Sequence, residues 1–76
     1  MSTIPKPVFD EAADFISEYG EHIKYTGRHK QYEVYSFIFP EDSETGYPVL
    51  YLYDSTKESA FEITGEMALD ILSSID

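Results

Sequence analysis

The chain changes hydrophobic period along its length, and these changes predict six elements of secondary structure. From residue 7 to residue 19, apolar positions recur every three or four residues, and acids occupy the early turns, where the helix dipole favours them. Pro7 suits a first helical position and Gly20 suits a helix end, so a first helix is predicted over residues 7–19. The following segments are rich in aromatic and β-branched residues, which are typical of strands. Strands are predicted at residues 22–26, 30–39, 47–54 and 58–63, with a polar loop at residues 41–46 after Pro40.

The C-terminal segment predicts a second helix, capped by Thr64. Its apolar stripe consists of Met67, Ala68, Ile71, Leu72 and Ile75. Consecutive strands with short connections imply antiparallel pairing. We therefore predict a single α+β domain over residues 1–76, a four-stranded antiparallel meander flanked by an N-terminal and a C-terminal helix (α-β-β-β-β-α).

The first hairpin contains a glycine that suits a tight turn. Gly27 and Arg28 fit a two-residue turn with glycine in its first central position. This turn would place Tyr25 opposite Lys30 and Ile23 opposite Tyr32.

The third predicted strand, YPVLYLYD, is apolar on both faces, although a strand with one wet face alternates apolar and polar residues. The predicted registers assign one face, the core under the C-terminal helix, to Tyr35, Phe37, Phe39, Leu50, Leu52, Phe61 and Ile63. They assign the other face to Ile23, Tyr25, Tyr32, Val34, Ser36, Ile38, Val49, Tyr51, Tyr53 and Ala60, with the acids Glu58 and Glu62 near its edge.

Four tyrosines on this second face are the predicted binding residues, because tyrosine is enriched at protein interfaces: Tyr25, Tyr32, Tyr51 and Tyr53. Two arrangements remain open. Either the first helix covers this face and completes a three-layer domain, or both helices share the core face and the tyrosines contact a partner or a second copy of the chain. The second arrangement predicts that Tyr51→Glu disrupts association and leaves the monomer folded, whereas Leu52→Glu unfolds it.

Composition limits the classes of partner. Fifteen acids against five bases make a formal net charge of −10, which repels phosphate backbones and argues against direct nucleic-acid binding. The chain has no cysteine, which excludes disulfides and thiolate metal sites. It shows no signal-peptide pattern and no apolar run long enough to span a membrane, so we expect a cytoplasmic protein without membrane contact.

Catalytic and metal-binding patterns are sparse. The only histidines are His22 and His29, and His29 is predicted to lie exposed beside the hairpin turn. The acidic loop at residues 41–46 lacks the ligand spacing of a calcium loop. No phosphate loop, dinucleotide fingerprint or nucleophile elbow occurs. We therefore expect no enzyme activity, no cofactor and no metal.

Basic residues concentrate in the first hairpin, at His22, Lys24, Arg28, His29 and Lys30. They suit an edge strand whose charges discourage aggregation, or a contact for an anion or an acidic partner.

Two functions fit these observations. The first is a small acidic, non-enzymatic protein-interaction module that binds or masks a protein partner. The alternative is a self-associating, homodimeric domain whose sheet faces pair with each other or enclose a small ligand. A stable dimer in solution would favour the alternative.

Overall fold

A computed structural model of the chain describes residues 4–39 and 48–75. In chain order its elements are helices α1 (Lys6–Glu11) and α2 (Ala13–Tyr19), strands β1 (Ile23–His29), β2 (Tyr32–Phe37), β3 (Val49–Asp54) and β4 (Ser59–Thr64), and helix α3 (Glu66–Ser73). The strands form one antiparallel sheet in the order β1-β2-β3-β4. The predicted α+β fold is confirmed. The loop predicted at residues 41–46 lies outside the described residues.

The N-terminal helix has an interruption that its sequence pattern does not reveal. Ala12 has φ −90° and ψ 5°, which separates α1 from α2. The Ala12 amide still donates to the Val8 carbonyl (3.0 Å), and the Ile16 amide donates to the Ala12 carbonyl (2.9 Å). Gly20 ends α2 as predicted, with a φ of 96° that glycine adopts without steric penalty.

The first hairpin turns later than the sequence predicts. The turn lies at Lys30 and Gln31, and Gly27 remains inside β1 opposite Val34. A β-bulge occurs between Tyr25 and Gly27, where a glycine is common because no side chain must be accommodated. The predicted turn at Gly27 and Arg28 is therefore wrong. The later turn lets β1 pair through His29, so more main-chain groups are hydrogen-bonded.

The register of β2 corrects the predicted faces of the sheet. Tyr35 lies opposite Tyr51 and Phe37 lies opposite Val49, so Tyr35 and Phe37 share the face of Tyr51 and Val49 and do not lie on the predicted core face. Val34 lies opposite Leu52, on the other face. A one-residue shift exchanges every side chain of a strand between faces. Because β2 is apolar on both faces, its pattern alone does not select a register.

Both faces of the sheet are covered by helices. Val8 of α1 and Ala12 pack on Tyr35, Phe37, Val49 and Tyr51. On the opposite face, Ala68 and Ile71 of α3 pack on Val34, Leu50 and Leu52. The domain therefore has three layers, and the N-terminal helix covers the face predicted to carry the tyrosines. This arrangement is the first of the two that the sequence left open.

The start of α3 differs from its prediction. Thr64 stays in β4, opposite Val49, and Gly65 precedes the helix with a φ of 73° and no side-chain cap. The Ala68 amide donates to the Gly65 carbonyl at 3.1 Å. Met67 was predicted in the buried stripe but is 63% exposed, whereas Ala68 and Ile71 are the buried residues of this helix.

Candidate functional site

The four predicted binding tyrosines do not form one surface. Tyr25, Tyr51 and Tyr53 lie on the sheet face covered by α1 and α2, because their register partners belong to that face. Tyr32 lies on the opposite face, where its ring packs edge-on against the ring of Phe61 with 5.4 Å between the ring centroids. Of the four, Tyr25 is the most accessible, with 50% of its surface exposed.

Tyr51 is a core residue. Its side chain is fully buried, and its hydroxyl donates a hydrogen bond to Oε2 of Glu62, 3.1 Å away on β4. Burial raises the pKa of Tyr51, and the nearby carboxylates of Glu62, Glu11 and Asp14 raise it further. The phenol therefore stays protonated as a donor, within the negative field of these three acids.

Tyr25 belongs to a polar network at the other side of the sheet. Its hydroxyl donates to Oε2 of Glu33 at 2.6 Å, and Arg28 lies 3.8 Å from the same carboxylate. The hydrogen bond to Glu33 is the main reason that the pKa of Tyr25 is raised. The exposed part of this ring is thus held in place by β2.

A shallow groove separates α3 from β1. It has a volume of about 220 Å³ and is lined by His29, Met67, Asp70, Ile71 and Ser74. His29 is half-buried there, which corrects the prediction of an exposed loop histidine; the cause is the later turn, which keeps His29 in β1.

Groups for catalysis are not assembled in this groove. Ser74 donates its hydroxyl proton to the Asp70 main-chain carbonyl at 2.7 Å. Within residues 4–39 and 48–75, the two ion pairs are Lys6–Asp10 and Arg28–Glu33, so neither involves His29. No group of three or more histidines or acids in that part of the chain could hold a metal ion.

The two outer edges of the sheet differ in how they are protected. Strand β1, at one edge, contains the bulge and the bases Lys24 and Arg28. Bulges and lysines on an edge strand discourage another strand from pairing with it. Strand β4, at the other edge, reads SAFEIT and contains no base, no proline and no register shift. Among the described residues, no strand pairs with the outer edge of β4.

The side chains of β4 present different chemistry on the two faces. Phe61 lies opposite Leu52, on the α3 face, and is 40% exposed. Glu62 lies opposite Tyr51, on the α1 face, and is exposed. Every second residue of an edge strand also directs its N–H and C=O outward. The outer edge of β4, with Phe61 and Glu62, is therefore the surface best suited to receive another polypeptide.

The sequence pattern predicts a core position for Phe61 and a position near the sheet edge for Glu62, but no binding role for either. Two signals in the sequence indicate this edge. Strand β4 is the last strand of a meander, which makes it an edge strand, and residues 59–64 lack the bases, glycine and proline that protect the first strand or interrupt a ladder.

Comparisons with protein-family models, curated proteins and solved structures found no match. In the described ranges, no helix combines the length and the apolar character that crossing a membrane requires.

Proposed function

We propose that this protein is a non-enzymatic interaction module that binds an extended segment of another protein along the outer edge of β4. The observation that carries this function is the contrast between the two sheet edges. The β1 edge has a bulge and bases, whereas β4 has a regular register and an uninterrupted run of six residues. Adding a strand to such an edge is a common way to recognise a peptide, because main-chain hydrogen bonds provide affinity and alternate side chains provide specificity.

The binding residues of this module are those of β4 and not the four tyrosines. Tyr51 is fully buried and supports the edge from behind through its bond to Glu62. Phe61 offers an exposed aromatic ring beside the edge, and buried aromatic side chains are frequent hot spots of protein interfaces. The module is expected to act in the cytoplasm, where a chain without cysteine needs no oxidising compartment.

A second copy of the chain could use the same edge, as in the homodimer that the sequence left as an alternative. Two copies would each contribute a net charge of −10, and like charges oppose their association. We therefore favour another protein as the partner.

Selection from a random peptide display library tests this function. The wild-type protein serves as bait, and a Phe61→Lys variant, whose edge carries a base as β1 does, serves for counter-selection. The function predicts a family of extended peptides that bind the wild type and not the variant. Binding should slow hydrogen exchange of the outward amides of β4. Circular dichroism must first show that the variant is folded.

The function would be wrong if no peptide family is enriched, or if the enriched peptides slow exchange elsewhere and leave β4 unchanged. Sedimentation of the protein at micromolar concentration distinguishes this function from the homodimer alternative. A stable dimer whose β4 amides are protected from hydrogen exchange would assign this edge to a second copy.

A further inference from the structure

We infer that the strand received by β4 alternates basic and apolar residues, with its basic side chains on the α1 face and its apolar side chains on the α3 face. This inference rests on the proposed function and specifies the partner's chemistry. It follows from the two different environments on either side of the edge.

The alternation arises from strand geometry. Successive side chains of an added strand point to opposite faces of the sheet, as do those of β4. On the α3 face, an incoming side chain would lie beside Phe61, a residue that is 40% exposed and whose ring packs edge-on against that of Tyr32. An apolar side chain there would remove aromatic surface from water. On the α1 face, the incoming side chain would lie beside Glu62.

The α1 face of this edge is strongly acidic. Glu62 accepts the hydrogen bond from the Tyr51 hydroxyl at 3.1 Å, and the negative charges of Glu11 and Asp14 help to raise the pKa of the same tyrosine. Helix α1 packs on β4, which brings Glu11 to this side of the sheet. A lysine or arginine beside Glu62 would pair with that carboxylate and would also experience the negative charges of Glu11 and Asp14, which favours a base more than one isolated exposed pair does.

The ends of β4 add to the same field. Glu58 precedes the strand and Glu66 follows it, and both are exposed. Lys57 is the nearest base in sequence, so acids outnumber bases along the edge. Complementary charge accelerates encounter with a partner and sets its orientation.

The same charges disfavour a second copy at this edge. Antiparallel pairing about a two-fold axis places residues of one face opposite each other, so either Phe61 or Glu62 could face its own copy. The Glu62 register opposes two carboxylates directly, which is destabilising. The Phe61 register avoids that pair, but it still gathers the acids of both edges at one interface.

Three short synthetic peptides test the inference by fluorescence anisotropy. The first alternates three lysines with valines, the second replaces the lysines with glutamines, and the third has the composition of the first with its lysines in one block. We expect the glutamine peptide to bind about eight-fold more weakly, at about two-fold for each exposed ion pair lost. The block peptide should also bind more weakly, because it cannot match both faces. Added salt should weaken only the lysine peptides.

Two pairs of protein variants test whether the differences in peptide affinity arise at the outer edge of β4. Glu62→Gln retains an acceptor for Tyr51 and should weaken the alternating lysine peptide by about two-fold to five-fold. Asp70→Asn, on the flank of α3 that faces His29, removes the same charge and should have no effect. Phe61→Ser should weaken both alternating peptides, and Met67→Ser, at a more exposed apolar residue of α3, should not.

Methylation of the peptide backbone separates this inference from the proposed function. Methyl groups on alternate amides block one side of a strand, so one of two complementary methylated forms should lose binding and the other should keep it. Equal binding of the lysine and glutamine peptides, or equal losses in Glu62→Gln and Asp70→Asn, would overturn the inference. If the methylation contrast persists in that case, the strand-binding function stands. If none of the peptides binds and display selection also fails, the function itself is wrong.

Discussion

Replacing Tyr51 with glutamate should unfold the domain. The tyrosine ring is fully buried between β3 and the N-terminal helices. Removing a buried aromatic ring typically costs about 3–5 kcal/mol. The glutamate would also bury an unpaired carboxylate beside Glu62, which adds a desolvation penalty and repulsion. A chain of this length has a total stability of about 4–11 kcal/mol, at roughly 0.05–0.15 kcal/mol per residue. The combined cost is therefore comparable to the whole stability.

Urea unfolding followed by far-ultraviolet circular dichroism measures this effect. Leu52→Glu is the matched control, because Leu52 is buried on the opposite face of the same strand. This substitution should also unfold the chain. Tyr51→Phe retains the ring and loses only the hydrogen bond to Glu62, so it should cost about 1 kcal/mol and stay folded. A Tyr51→Glu variant with a native spectrum and a nearly wild-type urea midpoint would refute the packing of α1 over β3. That result would restore the exposed tyrosine surface as a binding site.

Three further outcomes follow from the structure. Stability should fall as pH rises above the ordinary tyrosine pKa of 10, because the raised pKa of Tyr51 lets the unfolded chain lose this proton first. The free energy of unfolding should fall by about 1.4 kcal/mol per pH unit while only the folded state holds the proton. Urea titrations at several pH values should show a weaker pH dependence of this free energy for Tyr51→Phe. Asp54→Ala should lower the thermal midpoint and cost about 1–3 kcal/mol, because the buried carboxylate accepts from the Thr56 amide at 2.9 Å; an unchanged midpoint would contradict this role. Moderate salt should raise the thermal midpoint by screening the net charge of −10, and a flat calorimetric trend would show that the acids are already well separated or paired.

The sequence alone determined the kinds of element and their order. Helical spacing predicted a first helix at residues 7–19, and the structure has helical segments from Lys6 to Tyr19 that end at Gly20. Aromatic and β-branched runs predicted four strands, and short connections predicted their antiparallel order. These properties depend on local patterns, namely the period of apolar residues and the conformations that glycine and proline allow. Local patterns also predicted that the bases of β1 would lie on an edge strand.

Only the tertiary structure decided the registers, the coverage of each face and the candidate site. Strand β2 carries Tyr35 and Phe37 on one face and Val34 on the other, so both registers would bury apolar side chains. The choice depends on packing against helices that are distant in sequence: Val8 and Ala12 contact one face, and Ala68 and Ile71 contact the other. This choice buries Tyr51 and leaves Phe61 and Glu62 beside the outer edge of β4, with which no described strand pairs. Side-chain period identifies which residues share a face of one strand, but interactions between layers determine which faces of neighbouring strands coincide.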